Sequence, residues 1–384
     1  MKSNSILKKY IPLTLVALFL YSCGEEKKSN TKAAEKPVEK SLESKTPDPT
    51  VLQSMPTDVK VPEGMLWVPG AIFQQGAVAQ DTMAMGHEKP AFKVAVDGFF
   101  MDATEVTNDQ FQKFVDATGY ITVAERQIDW EEMKKQLPEG TPKPHDSIMQ
   151  PGSLTFKKAK NSVPNLYDFS QWWQWSIGAS WKHPDGPGSN ISGKEDYPVV
   201  HMAYEDAQAY CNWVGRRLPT EAEWELAARG GKQNKVYFWG DDFALLSKQA
   251  NTWEGEFPVT NSQKDGFEKR APVKSFPPND LGLYDMAGNV WEWTTDWYNT
   301  NYYKTMAGNL QITKNPKGAT SAFNERDAYA KEKIMKGGSF LCSASYCASY
   351  RVSARMATSL DSSLEHLGFR TVVSAITMDK MENK

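Results

Sequence analysis

The chain has 384 residues, with 44 Lys and Arg against 47 Asp and Glu and a formal charge of −3. That balance argues against a nucleic-acid binder, and 40% hydrophobic with 12% aromatic residues argues against a disordered chain. A mean hydropathy of −0.56 with a lone long apolar run excludes a polytopic membrane protein, and four cysteines are too few for a disulfide scaffold.

Lys2, Lys8 and Lys9 precede an apolar run over 11–21 that is too short to span a bilayer comfortably. It ends at Leu20-Tyr21-Ser22-Cys23, which resembles a bacterial lipobox, cut before a cysteine that is then lipidated. Residues 1–22 are therefore expected to be a lipoprotein signal peptide. Cys23 is the expected lipidation site, holding an exported protein to a membrane at the periplasm or cell surface. Residues 23–60 carry Lys, Glu, Ser, Thr and Pro with few large apolar side chains, too little to offset the entropy of ordering. They read as a disordered tether, with one folded domain over 61–378.

Within that domain, Met65-Leu66-Trp67-Val68-Pro69-Gly70 reads as a strand entering a turn. Phe92, Val94 and Val96 alternate before Phe99 and Phe100, predicting strands about a turn at Asp97-Gly98. Thr107-Asn108 precede Phe111, Phe114 and Val115, spaced as one face of a helix. Residues 129–165 are polar and rich in Lys and Pro, as in a surface insertion. The aromatic stretch Trp172-Trp173-Gln174-Trp175 follows. A helix over 205–214 buries Ala207, Tyr210, Cys211 and Val214. Thr220 and Glu223 form a capping box for a second helix, ended by Gly230-Gly231. Beyond residue 232, Gly, Asn, Asp and Pro recur and periodicity fades, predicting much irregular backbone.

Cys342 and Cys347 stand i, i+5 in Lys336-Gly337-Gly338-Ser339-Phe340-Leu341-Cys342-Ser343-Ala344-Ser345-Tyr346-Cys347. On a helix that spacing separates side chains by roughly 140°, and on a strand it puts them on opposite faces. The sulfurs meet only if the backbone turns between them, and Gly337-Gly338 permits unusual dihedrals. Paired sulfurs can form a disulfide, exchange disulfides, or bind a soft metal. They are too few for structural zinc and would suit Cu(I). Spacing alone favours a plain disulfide in an exported protein.

The segment from Gly337 through Cys342, with Ser345-Tyr346-Cys347 and Tyr350-Arg351, resembles the active-site segment of the formylglycine-generating enzymes, the sulfatase-modifying factor family. The likeness includes Asp102-Ala103-Thr104-Glu105-Val106-Thr107-Asn108, Trp181-Lys182-His183-Pro184-Asp185-Gly186-Pro187 and Arg217-Leu218-Pro219-Thr220-Glu221-Ala222-Glu223-Trp224-Glu225. It continues through Gly255-Glu256-Phe257-Pro258, Gly288-Asn289-Val290-Trp291-Glu292-Trp293 and Leu367-Gly368-Phe369-Arg370. The resemblance implies an α+β fold, a variant of the C-type lectin-like fold with little regular secondary structure. It implies an oxidase that converts the cysteine of C-x-P-x-R in sulfatases to Cα-formylglycine. The substrate partner is an unfolded or partly folded sulfatase, and a monomer is expected. By the same resemblance Cys342 and Cys347 hold Cu(I), O₂ is the co-substrate, Ser339 assists beside the sulfurs, and Trp291 walls the site or packs in the core.

Against that family, Asn251, Thr252, Asp265 and Phe267 fall on one calcium site, and Asp285, Gly288, Val290 and Glu292 on a second. On their own both groups read as turn chemistry, and neither has EF-hand spacing. Cys211 has no partner cysteine where animal relatives carry one, Thr371 standing there, and reads as a small buried hydrophobe. Ser343 and His366 stand where relatives commonly carry His and a substrate-contacting Asn, which leaves substrate preference open. One rival is a non-catalytic lipoprotein of the same superfamily, with a binding or structural role at the cell envelope. Another is an enzyme oxidising or coupling sulfur compounds on a metal, for which no His-rich motif is present.

Overall fold

A computed structural model describes residues 47–327 and 329–375. Cys23, the signal segment, most of the tether and the domain end at 378 lie outside the described residues. Among the described residues no helix is long and apolar enough to cross a membrane.

The chain is fastened to the fold before residue 61. The Leu52 carbonyl accepts from Gly70 N at 3.0 Å and Gly98 N at 2.7 Å, and Leu52 N donates to Asp97 Oδ1 at 2.8 Å. β1 (Met65–Val68), β2 (Ala71–Gln75), β3 (Phe92–Val96) and β4 (Phe99–Asp102) follow, and the alternating Phe92, Val94 and Val96 are buried as predicted. α1 (Asn108–Thr118) starts where the sequence signals it: Gln110 N donates to the Thr107 hydroxyl, and Thr107 N donates to Gln110 Oε1. It buries Phe111, Phe114 and Val115.

The polar stretch 129–165 is more than an insertion. It holds α2 (Trp130–Met133) and β5 (Gly152–Phe156), which pairs antiparallel with β6 (Trp173–Ile177). Ser153 and Thr155 of β5 are buried, with hydroxyl partners in His201 and Ser176. Polar side chains satisfied inside the protein gave this strand the composition of a surface loop.

α3 (Tyr204–Trp213) and α4 (Glu221–Arg229) match the predicted helices, and α4 has the predicted cap: Thr220 N donates to Glu223 Oε2 at 2.8 Å, and Gly230 closes the helix at φ +58°. Cys211 is buried in α3 with a free thiol. α5 (Leu246–Gln249) is one turn. Past residue 250 come β7 (Trp291–Trp297), α6 (Tyr302–Ala307), β8 (Thr313–Lys314), β9 (Glu332–Lys336), β10 (Met356–Ser359), β11 (Leu367–Gly368) and β12 (Val372–Ser374). Here periodicity fails as a guide. β7 lies inside the four-stranded sheet β10-β9-β7-β11 and is buried on both faces over its first four residues, so it shows no alternation. The other sheets are β1-β4-β12, β2-β3-β8 and β5-β6.

A large core cluster includes Phe111, Trp181, Trp224, Trp291, Trp293 and Cys342. A second, aromatic cluster joins Trp172, Trp253, Phe257, Phe340 and Leu341. The cysteine segment runs between the two.

Candidate active site

Cys342 and Cys347 come together because the chain folds back between them. The Ser343 carbonyl accepts from the backbone N–H of Tyr346, Cys347 and Ala348, at 3.2, 3.2 and 2.9 Å. Ala348 sits at φ +46°, and Arg351 Nε donates to its carbonyl at 2.9 Å. Arg351 is itself clamped by Asp81 and Glu88, both at 2.7 Å and all buried. Gly338 is required just upstream: at φ +77°, a Cβ there would lie 2.9 Å from the backbone of Ser349.

Both thiols are free, so the disulfide that spacing favoured is not formed. They lie close enough for each to shift the other's titration. Cys342 is fully buried, and burial, then the neighbouring sulfur, push its thiol well above the ordinary range. Burial also pushes Cys347 upward, but the bonds from Cys342 and Ser349 outweigh it and hold Cys347 below its usual value. The two thiols are therefore pushed in opposite directions, Cys342 up and Cys347 down.

Ser339 is buried against this pair. Its backbone N–H donates to Cys342 Sγ at 3.4 Å, and its Oγ accepts from Leu341 N at 3.2 Å and lies 3.0 Å from His366 Nδ1. The imidazole is braced at 4.9 Å by Trp173, and the His366 carbonyl accepts from Trp291 N at 2.8 Å. Trp291 thus ties β7 to the site through its backbone while its ring packs in the core cluster that holds Cys342. Burial, then His201 and Arg270, lower His366 to about 3, so the ring is neutral near pH 7. It orients the Ser339 hydroxyl without carrying charge. His366→Asn keeps a polar atom near the Nδ1 position and should retain turnover within about threefold, whereas His366→Gln moves that atom away and should lower kcat roughly tenfold or more. Equal effects of the two changes on peptide turnover would show that His366 does not act through Ser339.

The predicted calcium residues separate into two settings. Asp265 accepts from Thr252 N at 2.8 Å and Phe267 N at 3.0 Å, closing the loop that carries Asn251. Thr252 Oγ1 and Glu254 Oε2 are buried there without hydrogen-bond partners, and burial raises both Glu254 and Asp265. That excess of oxygen acceptors fits a hard cation. In the second group both Glu292 oxygens are engaged by Arg370, at 2.7 Å each, and one also accepts from Trp224 Nε1 at 2.7 Å. Gly288 packs on Asn251, where a Cβ would lie 2.1 Å from the Asn251 carbonyl. Beside the Glu292–Arg370 pair, Asp285 and Glu105 face each other within reach of the Arg370 charge, with Glu105 Oε2 buried and without a hydrogen-bond partner. Burial raises both, Asp285 to about 6. Glu105 was not singled out from the sequence. Neither was Glu365, buried behind His366 with both oxygens lacking a hydrogen bond and Lys269 Nζ 3.8 Å away. Isolated acids give no periodic signal, and the contacts that reveal them are long-range.

The sulfatase-modifying factor enzyme 1-like domain matches residues 51–375. The chain belongs to the sulfatase-modifying factor family. Its relatives include the formylglycine-generating enzyme of Bos taurus, 42% identical over 310 residues, covering 80% of this chain and 74% of the relative. That of Mycobacterium tuberculosis is 41% identical, covering 81% and 97%. A mouse member of the family, described as inactive C-alpha-formylglycine-generating enzyme 2, is 37% identical and covers 81% and 86%. Among solved structures, PvdO from Pseudomonas aeruginosa superposes with a TM-score of 0.54 at 19% identity, covering 81% of this chain and 94% of PvdO. The α+β family fold expected from the sequence is the one observed. The family thus includes relatives named as formylglycine-generating enzymes and one named as inactive.

Proposed function

We propose that this protein converts the cysteine of a C-x-P-x-R motif in sulfatases to Cα-formylglycine, with Cu(I) held by Cys342 and Cys347 and O₂ as oxidant. The observation that supports it is a pair of free cysteines brought together by the turn on the Ser343 carbonyl, a two-sulfur donor set that suits a soft monovalent cation. Cu(I), when bound, supplies a centre for a third thiolate and for O₂.

The chain's own groups do the rest. Cys342 and Cys347 would hold the metal through their sulfurs, and a thiol that binds it would have to lose its proton. Ser339, oriented by His366, presents a hydroxyl beside Cys342. Trp172, Phe257 and Tyr346 keep the cysteine turn dry, the Tyr346 ring stacking on Phe257 at 4.4 Å and meeting Trp172 at 5.7 Å. From thiol to thioaldehyde the substrate loses one hydrogen from Cβ and one from sulfur, two electrons in all; these reduce O₂ to hydrogen peroxide, or to water if an added thiol supplies two more, and hydrolysis of the thioaldehyde then releases hydrogen sulfide and leaves the aldehyde. The test is mass spectrometry of a C-x-P-x-R peptide incubated with the Cu(I)-loaded protein and O₂. Thiol-to-aldehyde conversion is expected, and its absence in correctly loaded protein would turn the reading to a non-catalytic envelope protein.

Calcium is proposed to serve structure, held by Asn251, Thr252, Asp265 and Phe267 and by Asp285, Gly288, Val290 and Glu292. The unpartnered acceptors and the facing acids support it. Chelation should lower Tm by roughly 5–10 °C, restored by calcium and not by magnesium; an unchanged Tm argues against both sites. Export and anchoring through Cys23 are proposed from the N-terminal residues. Full-length protein should partition with membranes and Cys23→Ser should not, and equal partitioning would discard the anchor.

A further inference from the structure

β6 is the outer strand of its sheet, and the register shows which of its backbone groups are in use. Leu154 of β5 donates to the Ser363 carbonyl at 3.3 Å and accepts from Glu365 N at 3.1 Å, so its polar groups point away from β6. Its register partner Trp175 is therefore in a non-hydrogen-bonded pair. The flanking bonds agree: Lys157 N donates to Trp172 O at 2.8 Å, and Gly178 N to Pro151 O at 2.9 Å. The ladder thus uses residues 172, 174, 176 and 178. The N–H and C=O groups of Trp173, Trp175 and Ile177 face outward, and among the described residues they have no backbone partner.

Open edges are normally blunted with Lys, Pro, a bulge or a cover, because they invite another strand. This edge reads Trp173-Gln174-Trp175-Ser176-Ile177, with Trp175 41% and Ile177 47% exposed. It also begins at the chemistry. Trp173 braces His366, which bonds Ser339, and the preceding Trp172 meets Tyr346, next to Cys347. The start of the edge is thus linked to the cysteine segment through the rings of Trp172 and Trp173.

We propose that the free edge of β6 receives the substrate polypeptide as an added strand, pairing with Trp173, Trp175 and Ile177 and delivering the reactive cysteine to Cys342 and Cys347. This rests on the sulfatase-modifying reading and deepens it. Backbone pairing explains how one site accepts extended segments that share only a short motif, since main-chain bonds supply affinity without reading sequence. The edge spans roughly 13 Å, about five substrate residues. Alternate substrate side chains lie over Trp175 and Ile177, so apolar residues at every second flanking position are favoured.

The test uses the full-length protein and synthetic peptides carrying S-x-P-x-R with five-residue flanks, which bind without chemistry or copper. Each flanking amide is N-methylated in turn. Methylation should weaken binding tenfold or more at alternate positions of one flank and less than twofold at the positions between. By NMR hydrogen exchange, the amides of Trp173, Trp175 and Ile177 should gain protection on peptide addition, while Gln174 and Ser176 stay unchanged. Trp175→Pro deletes an outward N–H at an edge that tolerates proline and should weaken binding tenfold, whereas Trp175→Phe should not. Peptide binding with no alternation and no new protection overturns the strand pairing alone. Failure of the wild type to convert the cysteine peptide overturns the functional reading beneath it.

Discussion

Cys342→Ser and Cys347→Ser are each expected to lower conversion of a C-x-P-x-R peptide by at least roughly 10³-fold, as read by mass spectrometry. The proposed site needs both sulfurs, so neither cysteine retains a soft two-sulfur site alone. Oxygen is a poor substitute, because Cu(I) favours thiolate over hydroxyl ligands. Competition with a chromogenic copper chelator should show a parallel loss of affinity in both variants. The double variant should be no worse than either single one, since the pair acts as a unit. Either serine variant retaining a tenth of wild-type turnover would exclude the paired-sulfur mechanism. So would titration of the active protein showing no free thiol beyond Cys211.

Arg370→Met should cost about 3–5 kcal/mol of stability, measured by urea unfolding at neutral pH. Arg370 and Glu292 are both fully buried and joined by paired bonds of 2.7 Å. The same guanidinium donates to the Asp102 and Tyr284 carbonyls, at 3.3 and 3.0 Å. Its charge also holds down the acids Glu105 and Asp285. Removing it leaves the buried Glu292 carboxylate without its guanidinium partner, and breaking such a pair is far more costly than never having built it. Accordingly, adding Glu292→Met to Arg370→Met should recover part of the loss. With the protein free of calcium, a single-variant loss below about 1 kcal/mol would show that the Arg370–Glu292 pair does not carry this buried charge.

Local signals were readable wherever a residue's role depends on its near neighbours. Thr107 with Gln110, and Thr220 with Glu223, cap their helices through bonds three residues long, so α1 and α4 could be placed from the chain itself. Phe92, Val94 and Val96 alternate because β3 follows the two-residue period of an extended strand. The cysteine spacing showed that the backbone had to turn, and it does so on the Ser343 carbonyl. The surrounding motifs pointed to the family, and through it to Ser339 and His366.

Other features depend on partners far along the chain. β5 read as a surface loop because Ser153 and Thr155 find their partners at His201 and Ser176. β7 lost its alternation because strands on both sides and side chains on both faces enclose it. Whether the sulfurs form a disulfide or stay reduced depends on the turn that Arg351 pins through Asp81 and Glu88, more than 260 residues away. The open edge of β6 is likewise a property of register, set when Leu154 turns its polar groups toward Ser363 and Glu365. Sequence encodes the periodicity of one segment; which face is covered, and by what, is settled when distant segments meet.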